Sequence, residues 1–299
     1  LKVYELPEAS RTARGRALVN LLPLREGERV QSVLSTRDFG EAPYLLFATL
    51  RGTVKKTELQ RYNTPIRADG IIAISIRDDD ELVAVRRVDE GDEVIIVSRA
   101  GLTVRFSEQD ARSMGRDTSG VRGMDVGDDG EVIAMDIARD DQDLLVVTEN
   151  GYGKRTRIDQ YRKTARGAKG VRTIRLTETK GGLAGALVVR EHQDLVFISQ
   201  SGMVQRTGVR GISQQGRSAT GVRVMNVRED DLVRAVALVV ESEGDDAAAQ
   251  LELGGPEDTP VPGELIVESV EATDLLEDED PGTTAIPEPE DDGDGADQV

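Results

Sequence analysis

The sequence predicts an all-β fold: a propeller-like disc of four-stranded blades, about 50 residues per repeat, followed by a disordered acidic tail. Three observations predict it. A glycine recurs in a similar setting at Gly52, Gly101, Gly151 and Gly202, with spacings of 49, 50 and 51 residues, and a fixed period of that size marks stacked supersecondary units. Each of these glycines follows a run of four apolar residues, and period-two alternation recurs later in every unit. Charge is divided sharply, with 21 acidic and no basic residues from Glu241 onward, which leaves residues 1–240 with 35 acidic and 38 basic side chains and a net charge of about +3.

The elements of one unit follow in order. The apolar runs LLFA (45–48), VIIV (94–97), LLVV (144–147) and LVFI (195–198) are short, branched and bounded by turn residues, so each is read as a strand buried on both faces. A hydroxyl follows each run, at Thr49, Ser98, Thr148 and Ser199. The hairpin then closes at the glycine, which supplies positive φ. The return strand follows: RGTVKKT, AGLTVRF, NGYGKRT and SGMVQRT. A second glycine stands 18 or 19 residues beyond the first, at Gly70, Gly120, Gly170 and Gly221. Apolar residues four and six places after it, such as Met124 and Val126, give the alternation of a strand with one buried face. ELVAVRRV, EVIAMDIA, GLAGALVV and LVRAVALV complete four strands per unit. The expected repeats are 39–90, 91–140, 141–190 and 191–240. Residues 1–38 form a truncated first repeat, in which Gly15 matches the second glycine. Residues 241–299 have the charge and Pro/Gly content of a disordered tail.

A basic residue stands four places after every hairpin glycine, at Lys56, Arg105, Arg155 and Arg206, and Lys2 fits the same position of the truncated unit. Lys55 and Lys154 precede two of them. Arg11, Arg116, Arg166 and Arg217 each stand four residues before the second glycine, with Arg67 one out of register; Arg14 and Arg16 flank Gly15. The richest loop, QYRKTARGAKG, holds Arg162, Lys163, Arg166 and Lys169. In a radial array such positions become a curved track of cations, suited to a phosphate backbone that gives affinity without sequence readout. Arg122, Arg172 and Arg223 share parity with buried positions, which favours a structural role with packed stems.

Catalytic readings find little support. His192 is the only histidine and there is no cysteine, which excludes multi-histidine sites, thiolate ligands and cysteine nucleophiles. DDD (78–80) and DDQD (140–143) fall at strand junctions, where Asp is a turn residue, so no metal site is expected. No GxxxxGK[ST] phosphate loop is present. Aromatic residues make up only 3% of the chain, so base stacking is not expected.

LKVYELPEASRTARGRALVNLLPL (1–24), RGTVKKT, NGYGKRT and the G-V-R that recurs at the second glycine closely resemble the C-terminal domain of bacterial DNA gyrase A. The resemblance covers about residues 1–240. It implies a β-pinwheel, a disc of five or six blades that exchange strands, with double-stranded DNA wrapped around a basic rim. The basic positions named above would then be its phosphate contacts. It also implies a cytoplasmic bacterial protein with no membrane partner and no cofactor of its own. ATP and Mg would be used elsewhere in an A2B2 holoenzyme with gyrase B, while the isolated domain would be monomeric. The glycine-rich basic box of that family has no match here, and QYRKTARGAKG looks like a degenerate copy. The corresponding domain of topoisomerase IV and a protein-interaction scaffold are the alternatives.

Overall fold

The computed structural model describes residues 1–10, 13, 16–25, 27–67, 69–77 and 79–239. Contacts divide the chain into Leu1–Ser242 and Glu243–Val299. The second unit, which holds most of the acidic tail, lies outside the described residues, as do Arg11, Arg14 and Gly15.

Fifteen strands follow in chain order: β1 (Tyr44–Thr49), β2 (Thr53–Glu58), β3 (Leu82–Val88), β4 (Glu93–Ser98), β5 (Leu102–Ser107), β6 (Val121–Arg122), β7 (Val132–Ala138), β8 (Asp143–Thr148), β9 (Tyr152–Arg157), β10 (Val171–Arg172), β11 (Leu183–Val189), β12 (Asp194–Ser199), β13 (Val204–Gly208), β14 (Val222–Arg223) and β15 (Val233–Leu238). They make four antiparallel sheets. Three are ordered β3-β1-β2-β6, β7-β4-β5-β10 and β11-β8-β9-β14, and the last is β15-β12-β13. The fourth strand of each complete sheet comes from the following unit. That exchange is the one the family resemblance implies, and the blades form a propeller-like ring.

The first three apolar runs are buried on both faces because two cores share each one, whereas in the run 195–198 only Leu195 and Phe197 are buried and Ile198 is exposed. Val94 and Ile96 pack with Leu46 and Val54 of the preceding sheet, while Ile95 and Val97 pack with Leu144 and Val146 of the next. Leu145 and Val147 repeat the pattern against Leu195 and Phe197. The alternation of side chains along a strand thus builds one continuous stack. Inner strands β3, β7, β11 and β15 pack against each other in succession.

The recurring hydroxyl stabilises the hairpin. Thr49, Ser98, Thr148 and Ser199 accept from the backbone N–H of Thr53, Leu102, Tyr152 and Met203 at 3.1, 3.2, 3.1 and 3.1 Å. All four hairpin glycines have positive φ, between 76° and 88°. Gly52 has a second task. Its carbonyl accepts from Gly123 and Met124 (2.8 and 3.0 Å), and a Cβ there would lie 2.4 Å from the Met124 carbonyl oxygen. The exchanged strand therefore docks directly on the hairpin tip.

In the region before β1 the described residues hold only the short 3-10 turns Val3–Glu5 and Leu18–Asn20, and Val3, Tyr4 and Val19 are exposed. The alternation after Gly70 does not form a strand. Among the described residues no hairpin of a preceding unit pairs with it, and Ile72 and Ile76 remain exposed.

Candidate nucleic-acid interface

The return-strand cations are placed differently from the sequence expectation. Lys56 is buried against Glu108, with its ammonium also donating to the Glu108 carbonyl (3.1 Å) and lying 4.7 Å from the Tyr44 ring centre. The Arg105 guanidinium donates to Glu93 (2.5 Å), Asp140 (2.6 Å) and the carbonyls of Ile158 and Tyr161 (3.0 and 3.2 Å). Arg155 donates to Asp143 (2.8 Å), Glu191 (3.3 Å) and the Ile212 carbonyl (2.8 Å). Each of these carbonyls belongs to the next unit, within or just after the short turn that follows its return strand. The expectation that these three residues contact phosphate is therefore corrected. Covered by the neighbouring unit and neutralised by carboxylates, they clasp one blade to the next. Arg206 shows the same side chain without that cover; it pairs only with Asp194 (2.6 Å) and is 63% exposed.

Lys55 and Lys154 are likewise fully buried, so they too are withdrawn from the phosphate track. Lys55 Nζ donates to the carbonyls of Ala73 and Arg116, both at 2.5 Å. Lys154 Nζ donates to those of Gly216 and Arg217 at 2.5 and 2.9 Å. Desolvation lowers the pKa of each to about 8, opposed at Lys55 by Asp117 and reinforced by Arg116, and reinforced at Lys154 by Arg217.

The accessible cations lie one strand further out. Because the inner strands pack together, β6, β10 and β14 are the strands remote from that packing, at the outer edge of their sheets. Their second residues, Arg122, Arg172 and Arg223, are exposed. This corrects the expectation of packed stems in a structural role. The parity argument failed because the strand edges the neighbouring sheet instead of facing its own core. Arg223 donates to the Tyr152 hydroxyl (2.9 Å), which lowers the tyrosine's pKa, and Lys180 lies 4.6 Å from the same ring centre.

The loops before the second glycines run beside these strands. Ser75, Asp125 and Arg175 N–H groups donate to the carbonyls of Thr118, Ala168 and Ala219 (3.1, 3.0 and 3.2 Å), which joins each loop to the preceding unit. Arg116 donates to the Ile72 carbonyl (3.2 Å) and, with Arg61 and Arg67, lines an open cleft of about 590 Å³. Arg166 is tied down by the carbonyls of Asp110 and Arg122 (2.8 and 3.0 Å). Lys163 is paired with Glu93. Arg162 and Lys169 are exposed, Arg217 is half-buried, and Lys2 and Arg16 are exposed in the region before β1.

Among the described residues no group of three or more His, Asp or Glu side chains is placed to hold a metal. Asp140 and Asp143 of the DDQD segment accept from Arg105 and Arg155. No helix of the described residues is long and apolar enough to cross a membrane.

Comparison with known proteins bears on the family and the fold. The chain is 42% identical over 249 residues to DNA gyrase A of Mycobacterium tuberculosis, covering 83% of this chain and 30% of that one. It is 39% identical over 246 residues to the Salmonella typhimurium protein, covering 82% and 28%. The chain thus spans about three tenths of the length of the curated relatives it matches. Among solved structures, a DNA topoisomerase IV C-terminal domain superposes with a TM-score of 0.75 at 26% identity, covering 84% of this chain and 79% of that one. A DNA gyrase A C-terminal domain gives 0.69 at 25%, covering 76% of each. The profile described as "DNA gyrase C-terminal domain, beta-propeller" matches residues 1–37, 43–89, 92–139, 142–190 and 193–239, the last four matches each spanning one repeat unit. With five successive matches of that profile and gyrase relatives near 40% identity, the chain belongs to the DNA gyrase A C-terminal domain family.

Proposed function

We propose that this chain binds duplex DNA without sequence readout along its outer edge, bends or wraps it, and so directs ATP-dependent negative supercoiling by a cytoplasmic A2B2 assembly with gyrase B. The chain itself is non-catalytic in this reading. One observation carries it: three successive sheets end on a strand that presents an exposed arginine, Arg122, Arg172 and Arg223. None of the three pairs with a carboxylate among the described residues. Guanidinium groups that are spent on internal carboxylates cannot neutralise phosphates, whereas these can. Arg67, Arg116, Arg162, Lys169 and Arg217 extend the row through the adjoining loops. A convex row of this kind stores a bend and reads no base edges. The acidic segment from residue 241 onward competes with DNA for these cations, as its 21 carboxylates beside a body of about +3 suggest.

The test is duplex affinity across a salt series by fluorescence anisotropy. The triple variant Arg122→Ala, Arg172→Ala, Arg223→Ala should bind all sequences more weakly, with the slope of log affinity against log salt reduced by about three. Residues 1–240 alone should bind more tightly than the full chain, most at low salt. An unchanged slope in the triple variant would leave the scaffold reading in its place.

A further inference from the structure

We infer that Lys55 and Lys154 are positioning residues for the DNA-contact loops, each holding the arginine loop of the next unit from beneath. This rests on the DNA-binding reading above. Both occupy the third place after a hairpin glycine, and both are fully buried. Each ammonium donates to the next unit's loop across more than 60 residues of sequence: Lys55 to the carbonyl of Arg116, with a second bond to Ala73 of its own unit, and Lys154 to those of Gly216 and Arg217. In both cases one bonded carbonyl is that of the arginine that stands four residues before the second glycine. A buried lysine thus fixes the backbone from which an outward guanidinium departs.

The other units do without the lysine. Val104 stands at this place in the second complete unit, and the loop it faces is held instead by Arg166, whose guanidinium donates to Asp110 and Arg122 carbonyls. Gln205 stands there in the last unit and donates to the Val224 carbonyl of its own unit. Where lysine supplies the strap, the loop arginine is held less: Arg116 keeps only the bond to Ile72, which stands two places after its glycine as Arg122 does, and Arg217 donates to neither backbone position among the described residues. Where it does not, the arginine itself is the strap. Lys154 therefore frees Arg217 from the strap role, and Lys55 frees Arg116 of one of its two straps.

The experiment uses the full 299-residue chain. Lys154→Met, Arg217→Ala and the double variant are compared in duplex affinity over a salt series, together with amide hydrogen exchange of peptides covering 213–221 and 113–120. The expected result for Lys154→Met is faster exchange confined to 213–221 and a loss of affinity of about fivefold to tenfold, the worth of one charge-assisted contact. The double variant should bind no more weakly than Arg217→Ala alone. Lys55→Met should shift exchange only in 113–120. Unchanged exchange in both lysine variants overturns the proposal. So does full additivity of the Lys154 and Arg217 losses, since the lysine would then act on its own account. Faster exchange with no loss of affinity, where Arg217→Ala does lose affinity, also overturns it. If the edge arginine variants bind normally, the DNA reading fails and takes the positioning role with it, while the exchange data still report whether the strap exists. Should Lys154→Met not fold, Lys154→Gln, which keeps a donor at the site, is measured instead.

Discussion

Replacing Arg105 with alanine tests whether the repeated cation is a clasp or a phosphate contact. The side chain is 9% exposed, and Glu93, its nearer carboxylate, is 19% exposed. Removing the guanidinium leaves that carboxylate with Lys163 as its remaining partner and strands the Ile158 and Tyr161 carbonyls. Asp140 is 71% exposed and returns to water at little cost. Breaking a buried pair from one side costs about 3–5 kcal/mol, which for a domain of this size lowers Tm by roughly 6–20 °C. Arg206 holds the same repeat position, yet its one ion pair is exposed, so Arg206→Ala should cost under about 1 kcal/mol. The assay is thermal and urea unfolding followed by far-UV circular dichroism, with duplex affinity of the folded protein measured in parallel. Equal destabilisation by the two variants would refute the clasp. So would an Arg105→Ala protein of unchanged stability with impaired DNA binding.

Two further outcomes follow from the same geometry. Gly52→Ala should destabilise far more than Gly202→Ala, although both positions have φ above +80°. Both incur the strain of about 1–2 kcal/mol for a side chain at positive φ, but only Gly52 faces a carbonyl at 2.4 Å, whereas nothing lies within 4 Å of Gly202; equal midpoints in urea would contradict the docking of the exchanged strand. Stability should rise between pH 8 and pH 10, because Lys55 and Lys154 release protons near 8 in the folded state while the unfolded chain keeps them to about 10.5. In that window the unfolded state binds more protons, which favours the folded state by up to about 3 kcal/mol per lysine before solvent relaxation reduces it. Above about pH 10 the raised pKa values of Tyr62 and Tyr161 act in the opposite direction, since the unfolded phenols ionise first. A stability that is flat or falling from pH 8 to 9.5 in urea titrations would contradict the burial of charged lysine.

Much of the fold was legible because its periodicities are strong. The runs at 45–48, 94–97, 144–147 and 195–198 are strands, and the hydroxyl after each has a repeated backbone partner. The site was less legible. A basic residue at a fixed repeat position says that charge recurs there; it does not say whether the neighbouring unit covers it. A signal was nonetheless present, since Glu93, Asp143 and Asp194 stand 12 residues before Arg105, Arg155 and Arg206 and pair with them. A cation with its own repeating acid is neutralised. Arg122, Arg172 and Arg223 have no such companion in the repeat, and they are the ones left exposed. Their place at a sheet edge depends on strand exchange, a relation between units that no alternation within one unit expresses.

That exchange gives the array a direction. Each unit hands its short strand back to the one before, so β6, β10 and β14 each seal a neighbour and the three-stranded sheet β15-β12-β13 receives nothing among the described residues. Met203 and Val204 lie exposed along its open edge. The units are therefore unequal in spite of their common sequence pattern. Unravelling should start from the unsealed sheet and move toward the N-terminal side, each blade losing its fastener only when its successor has come apart, and amide hydrogen exchange no faster in β12, β13 and β15 than in β4 and β5 would contradict it.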